Sequence, residues 1–348
     1  MVALEQRSEK VLRTIVTEYI STGEPVGSRT VAKRGGFGLS AASVRNIMSD
    51  LTDMGLISQP HVSAGRVPTD LAYRLYVDSL LKNYIVDDRY RETIERLLKD
   101  VGLDPRDVLR QSSLVLAGLS RQAGVVTTSP LRDQTFKTIE FIKAAEDRIL
   151  VVLVSTSGFV QNKIIYDEDN ISQETLESFG RMLDDMLKDL DLLEARERIE
   201  RELLTEKVEF NLALLKALRM SHSILSQDDT REVFIGGQSN ILLDPEFSEI
   251  KKLKAVLTTF EEKTKLLKLL DKTLQAEGIQ VFIGSEHGLD EIENCSVVAY
   301  PIRVGDSVVA SIGVVGPKRM NYSVVVPLVD TTARILTQLL RTVVESRA

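Results

Sequence analysis

The sequence holds a single cysteine, Cys295, no tryptophan, and only three histidines, His61, His222 and His287. One cysteine excludes an intramolecular disulfide, and a buried, inert thiol is its expected state. The histidines fall in different expected elements, so no nucleophile and base stand together. His287 lies beside Glu286 with Cys295 eight residues on, a spacing that matches no usual zinc pattern. Neither Gly236-Gly237 nor Gly316-Pro317-Lys318 forms a dinucleotide fingerprint or a P-loop, and both read as turns. Catalytic, metal and cofactor-binding residues are therefore expected to be none. Long hydrophobic runs are lacking too: nothing reaches the roughly 20 apolar residues that span a bilayer. The segment Met1-Val2-Ala3-Leu4-Glu5-Gln6-Arg7 has no apolar h-region. The expectation is a cytoplasmic chain that is neither exported nor membrane-spanning, without internal repeats or low-complexity linkers.

The 348 residues suffice for two or three domains at about 150 residues each. Their net charge of −7 is unevenly spread: through Lys82 ten bases outnumber eight acids, giving +2, and the remainder carries −9. A mildly basic head on an acidic body favours one orientation on a polyanion. Because phosphate attraction fades within a Debye length of about 8 Å in physiological salt, selective rather than bulk binding is expected.

From Val11 onward, Val11, Leu12, Ile15, Val16, Tyr19 and Ile20 recur every three or four positions, which predicts a helix with one buried face. Gly23-Glu24-Pro25 ends it, since glycine accepts the left-handed cap and proline cannot continue a helix. Ser28 suits the N-cap of a brief second helix through Val31 and Ala32, closed by Gly35-Gly36-Phe37-Gly38. Ser40 suits the cap of a third, in which Val44, Ile47, Met48 and Leu51 share the inward face. At roughly 100° per residue, Ala42, Asn46 and Ser49 then lie opposite the core, flanked by Ser43 and Arg45. Arginine pairs bidentately with guanine, asparagine with adenine, and small residues let a helix sit deep in a major groove. The helix N-terminus adds backbone donors for a phosphate. A plain solvated face is the competing reading of Arg45 and Asn46, and the parts on either side weigh against it.

After Gly55, residues Leu56 to Thr69 read as two extended arms around the small-residue tip Ala64-Gly65-Arg66, with Pro60 and Pro68 confining both arms to edge positions. Three helices followed by such a hairpin is the order of a winged helix-turn-helix, and it points to DNA. Arg66, beside the flexible Gly65, is placed to reach a phosphate or a narrow minor groove. A packed or solvent-facing role is the simpler reading of His61. The candidate DNA-binding residues are Ser40, Ala42, Ser43, Arg45, Asn46 and Ser49, with Arg29, His61, Gly65 and Arg66. Thr69 then caps a helix carrying Leu71, Tyr73, Leu75, Tyr76, Leu80 and Leu81, which connects head to body.

Two helical stretches follow between Asp87 and Gln122, the second opened by Asp104-Pro105. Residues 136–142, 149–154 and 160–166 predict a three-stranded meander turning at Glu146-Asp147 and Ser157-Gly158. Charged amphipathic helices run from about Ser172 to Ser226, with Ile199, Leu203, Val208, Leu212 and Leu215 as an apolar stripe. From Glu232, strands at 233–235, 281–283, 297–300 and 310–315 alternate with a Lys-rich helix over Leu253 to Leu274. A last helix runs through Ile335, Leu339 and Val343. The fold class is α+β and multidomain.

Pro25-Val26-Gly27-Ser28-Arg29-Thr30, Val44-Arg45-Asn46-Ile47-Met48 and Gln59-Pro60-His61-Val62-Ser63-Ala64-Gly65-Arg66-Val67-Pro68-Thr69-Asp70 resemble the heat-inducible transcription repressor HrcA family. Gly236-Gly237-Gln238-Ser239-Asn240-Ile241 and Gly316-Pro317-Lys318-Arg319-Met320-Asn321-Tyr322, with Val324 to Asp330 after it, extend the resemblance over essentially the whole chain. One departure is Ala72, where the family pattern leads one to expect glycine. The resemblance implies a winged-helix DNA-binding domain at 1–82, a GAF-like α+β domain at 83–131 and 226–348, and an inserted dimerising domain, meander plus helices, at 132–225. It implies a homodimer that binds the CIRCE inverted repeat upstream of chaperone operons and represses them, with the GroEL chaperonin promoting the active repressor. Two other readings stay open at this stage: a repressor that responds to a small molecule held in the body, and an enzyme carrying a regulatory head.

Overall fold

The computed structural model describes residues 4–346 apart from 62–63, 85–87, 100, 102–103, 131–133, 159, 168, 204–211, 226–230 and 306. Helix α1 (Gln6–Thr22) buries Val11, Leu12, Ile15 and Val16 on its expected face. It ends at Gly23, whose φ of 72° takes the left-handed cap while its amide donates to the Tyr19 carbonyl at 2.8 Å. The start of α2 (Ser28–Arg34) departs from expectation: Gly27 is the N-cap, without a side-chain bond, and Ser28 is already helical. The reason is Val26, which forms an antiparallel bridge with Arg66 and keeps the chain extended through Gly27, at ψ 153°. Ser40 does cap α3 (Ala41–Asp53), its Oγ accepting the Ser43 amide at 3.1 Å. Val44, Met48 and Leu51 are buried and Ile47 is half-buried. Strands β1 (Ile57–Ser58) and β2 (Val67–Pro68) pair antiparallel as the expected hairpin, of which Val62 and Ser63 lie outside the described residues. The Thr69 hydroxyl accepts the Ala72 amide at 3.4 Å and so caps α4 (Asp70–Asn83).

Two helices, α5 (Arg91–Lys99) and α6 (Pro105–Ser120), lead into the body, the second capped by Asp104. Strand β3 (Ala123–Thr128) follows, which the sequence pattern does not announce. The meander is present as β4 (Phe136–Ala145), β5 (Arg148–Ser155) and β6 (Val160–Tyr166), antiparallel throughout. One of its faces packs Ile139, Phe141, Val151 and Leu153 against α7 (Gln173–Leu187), α8 (Leu192–Leu203) and α9 (Leu212–Leu225) in a core of its own. The expected single stripe is thus divided: Ile199 and Leu203 lie on α8, Leu212 and Leu215 on α9, and Val208 falls outside the described residues.

The chain then returns as β7 (Val233–Gly236), α10 (Gln238–Leu242), α11 (Ile250–Glu261), α12 (Lys263–Leu274), β8 (Gln280–Ile283), β9 (Cys295–Val304), β10 (Ser307–Pro317) and α13 (Tyr322–Ser346). The expected Lys-rich helix is broken at Glu262, at φ −92° and ψ 95°. The break lets Val256 and Phe260 of α11 and Leu266, Leu269 and Leu270 of α12 reach the same core. Five strands form one antiparallel sheet in the order β7-β3-β10-β9-β8. Alternation sends Val126, Val298, Ile312 and Val314 towards α6 and α13, and Val125, Val297 and Val315 towards α11 and α12. Gly236-Gly237 is a close-packing device: a Cβ on Gly236 would stand 2.7 Å from the Ser113 carbonyl oxygen of α6, and Gly237 adopts φ +67°. Asn240 completes the joint by donating to the Ala117 and Gln122 carbonyls at 3.1 and 3.0 Å. Contrary to the sequence expectation, one stretch, Tyr322–Thr342 of α13, is long and apolar enough to cross a membrane, with 67% of it buried inside the fold. Its run is interrupted by Asp330, Arg334 and Arg341, which is why no unbroken apolar segment shows in the sequence.

Candidate nucleic-acid interface

Helix α3 has two unlike sides. Val44, Met48 and Leu51 pack it against α1, α2 and β1. Ala42, Ser43, Arg45, Asn46 and Ser49 are exposed, as is the capping residue Ser40. The Ser40 and Ser43 hydroxyls also lie 3.0 Å apart, which closes the first turn and fixes the helix entry. Helical stepping puts two further exposed residues, Asp50 and Asp53, on the Asn46 side but towards the C-terminal end. Carboxylates there would repel a polyanion, so the part of this face suited to one is the first two turns, where backbone amides and partial positive charge are concentrated. Sequence reasoning had not weighed these two acids.

Arg29 is exposed on α2, and His61 is exposed on the hairpin. Gly65 plays a different part from the one expected. Its value is not flexibility: a Cβ there would lie 2.6 Å from the Pro25 carbonyl oxygen, so glycine is what lets the hairpin approach the segment before α2. Arg66 is half-buried rather than loose. Its backbone exchanges two 2.9 Å hydrogen bonds with Val26, and its Nε donates to the Thr52 hydroxyl of α3 at 3.3 Å. Val26 and Thr52 thus join hairpin and helix into one surface, a link between residues 40 and 14 positions apart from Arg66 that no local pattern reveals.

The unit is seated on the body through α1 and α4, leaving the outward side of α3 exposed. Arg74 pairs with Glu286 and donates to the Val281 carbonyl of the edge strand β8 at 2.6 Å. Lys318 reaches Asp70 at 2.7 Å, and the Tyr73 and Tyr322 rings meet with centroids 6.2 Å apart. Arg319 holds Asp244 at 2.7 Å and Glu246 at 3.3 Å, close beneath Gly23. The Gly316–Tyr322 motif is therefore where the body grips the head, a role its turn-like sequence does not disclose. Burial pushes the Glu246 carboxyl up to about 7, with Arg319 opposing that shift.

Cys295 and His287 are both buried and engaged within the body. The Cys295 thiol is buried and pushed up to about 12. His287 uses both ring nitrogens, Nε2 on the Ile292 carbonyl at 3.1 Å and Nδ1 accepting the Leu289 amide at 3.2 Å, and burial lowers its pKa.

Comparison with known proteins supplies the family. A family profile described as the HrcA protein C terminal domain matches residues 106–326. A heat-inducible transcription repressor HrcA from Syntrophobacter fumaroxidans is 40% identical over 339 residues, 97% of each chain. One from Geobacter sulfurreducens is 42% identical over 340 residues, 98% of this chain and 99% of that one. A crystal structure described only as a hypothetical protein superposes with a TM-score of 0.65 at 25% identity, covering 98% of this chain and all of the other. These relatives are named as transcription repressors and not as enzymes. With most of the chain under the profile and nearly all of it aligned to repressors of that name, the chain belongs to the heat-inducible transcription repressor HrcA family.

Proposed function

We propose that residues 1–82 are a winged helix-turn-helix that binds double-stranded DNA, with the first two turns of α3 in the major groove and the β1–β2 hairpin against the backbone. The observation that carries this reading is the capped start of α3, which presents Arg45 and Asn46 among Ala42, Ser43 and Ser49, all exposed. Arg29, Ser40, His61, Gly65 and Arg66 complete the contact surface, Gly65 through its backbone. The rest of the chain divides into a GAF-like domain at 83–131 and 226–348 and an inserted domain at 132–225, within which the meander and its helices have a separate core.

The inserted domain joins two copies. On the side of the meander away from its helices, Ile142, Leu150 and Ile164 are register partners across three strands, and Ile142 and Ile164 are 41% and 60% exposed. An apolar row at the middle of an uncovered sheet face suits a self-complementary contact. A twofold dimer then matches a twofold operator, and membership of the HrcA family supports reading that operator as the CIRCE inverted repeat before chaperone genes. In this scheme the GroEL chaperonin maintains the active repressor, and heat diverts it to unfolded proteins. The protein acts in the cytoplasm.

A gel-shift titration of the purified chain on an inverted-repeat duplex and a scrambled duplex of equal length, with and without chaperonin, tests the reading. Preference for the inverted repeat, strengthened by chaperonin, is expected. Equal affinity for both duplexes in near-cellular salt, chaperonin included, would overturn it.

A further inference from the structure

Where head and body meet, the fold leaves a half-open cavity of about 370 Å3, at the small end of the range for ligand sites. Tyr19, Pro68 and Tyr73 of the head form one wall, and Glu246, Lys252 and Lys318 of the body another. Tyr73 is 2% exposed, yet its hydroxyl has no hydrogen-bond partner among the described residues. The neighbouring Tyr322 shows the contrast, with its hydroxyl 2.8 Å from Ser296 Oγ and 2.7 Å from the Lys318 carbonyl. Buried hydroxyls are ordinarily satisfied, and one that is not, on a residue that lines a polar cavity, points to a partner reaching it from that side.

The charges around the cavity specify that partner. Lys318 is matched by Asp70 at 2.7 Å, Lys252 by Glu249 at 2.7 Å, and Glu246 by Arg319 at 3.3 Å. A guest of net charge would leave one sign uncompensated in a half-enclosed site. A guest carrying both signs meets ammonium donors and a carboxylate side by side on the body wall. Burial already raises the Glu246 carboxyl to about 7, and an incoming cation would draw it back to the ionised form.

We propose that this cavity binds a small zwitterion of amino-acid size, its carboxylate accepting from the Tyr73 hydroxyl and Lys318 and its ammonium facing Glu246. Such a ligand touches head and body at once, so its binding stabilises the seated orientation of the head. The inference does not depend on what the head binds.

The test is thermal unfolding of the purified full chain with each of the protein amino acids singly at millimolar concentration, and with acetate, methylamine and glycerol as probes of one charge or none. At least one amino acid is expected to raise Tm in proportion to the logarithm of its concentration, while the three simpler probes do not. Tyr73→Phe deletes only the unpaired oxygen. It should leave the ligand-free Tm no lower than wild type and weaken the amino acid's apparent affinity about tenfold or more. Glu246→Gln, which keeps the side chain's size, should weaken it likewise. The proposal is overturned if no amino acid raises Tm, if acetate or glycerol raises it equally, if the shift survives both substitutions, or if Tyr73→Phe lowers Tm without ligand.

Discussion

Arg45 and Arg66 are both arginines of the head, but their surroundings assign them different work. Arg45 projects from the exposed side of α3 between small neighbours, free to meet a base edge, whereas Arg66 is pinned at its backbone and at Nε. If Arg45 reads a guanine, Arg45→Ala should lose about 1 to 3 kcal/mol on the cognate duplex and relax preference at one base pair. Titration on cognate and scrambled duplexes checks this, and equal losses on both would reassign Arg45 to phosphate. Gly65 carries a constraint of another kind, because any side chain there must displace the Pro25 backbone. Gly65→Ala should destabilise the chain by about 1 to 3 kcal/mol, as overpacking does. Chemical denaturation measures it, and an unchanged midpoint would mean the hairpin can back away.

At the scale of elements, what could be read in advance was whatever had a local cause. Ser40, Thr69 and Asp104 cap helices because their side chains satisfy amides two or three residues on, and that signal lies in a few adjacent letters. The meander was legible because β4 and β5 alternate buried with more exposed residues. Strand β3 was not, since all six of its residues are buried and no alternation survives between two helical layers. The break at Glu262 has neither glycine nor proline to announce it, because packing on the sheet imposes it. The outward face of α3 was legible from a helical wheel. The tie between Val26 and Arg66 and the grip of Lys318 on Asp70 were not, because contacts across 40 and 248 positions leave no periodic trace. The free face of the meander gives this scale its prediction. Ile164→Asp places a charge in the proposed twofold contact while sparing the inner core. Light scattering should then report a monomer of wild-type secondary structure with weaker operator binding. A dimer of unchanged mass would move the interface elsewhere.

For the whole molecule, the question is what holds the head in place. The ion pairs at the seam are partly exposed, Lys318 and Asp70 by 25% and 42%, and pairs of that kind contribute only about 0 to 1 kcal/mol each. The larger contribution is apolar, since Tyr73, Met320, Tyr322 and Ile283 are buried in a core continuous from α1 to α13 and each such side chain is worth about 1.5 to 3 kcal/mol. The ion pairs chiefly fix the register of a contact that hydrophobic burial drives. Glu246 makes that seam sensitive to pH. Its carboxyl titrates near 7 in the folded chain because burial disfavours its charge, while an unfolded glutamate titrates at about 4.3. The folded state therefore holds a proton that the unfolded state releases, and stability falls as pH rises between those values. The contribution is whole below the unfolded pKa and gone above the folded one. Glu246→Gln imitates the protonated form permanently, so its Tm should exceed that of wild type at about pH 8, and the gap should close on approach to about pH 5. Paired melts across that interval measure the effect. A gap that is constant, or that widens towards acid, would show that the carboxyl is ionised in the seam throughout and that Arg319 outweighs its burial.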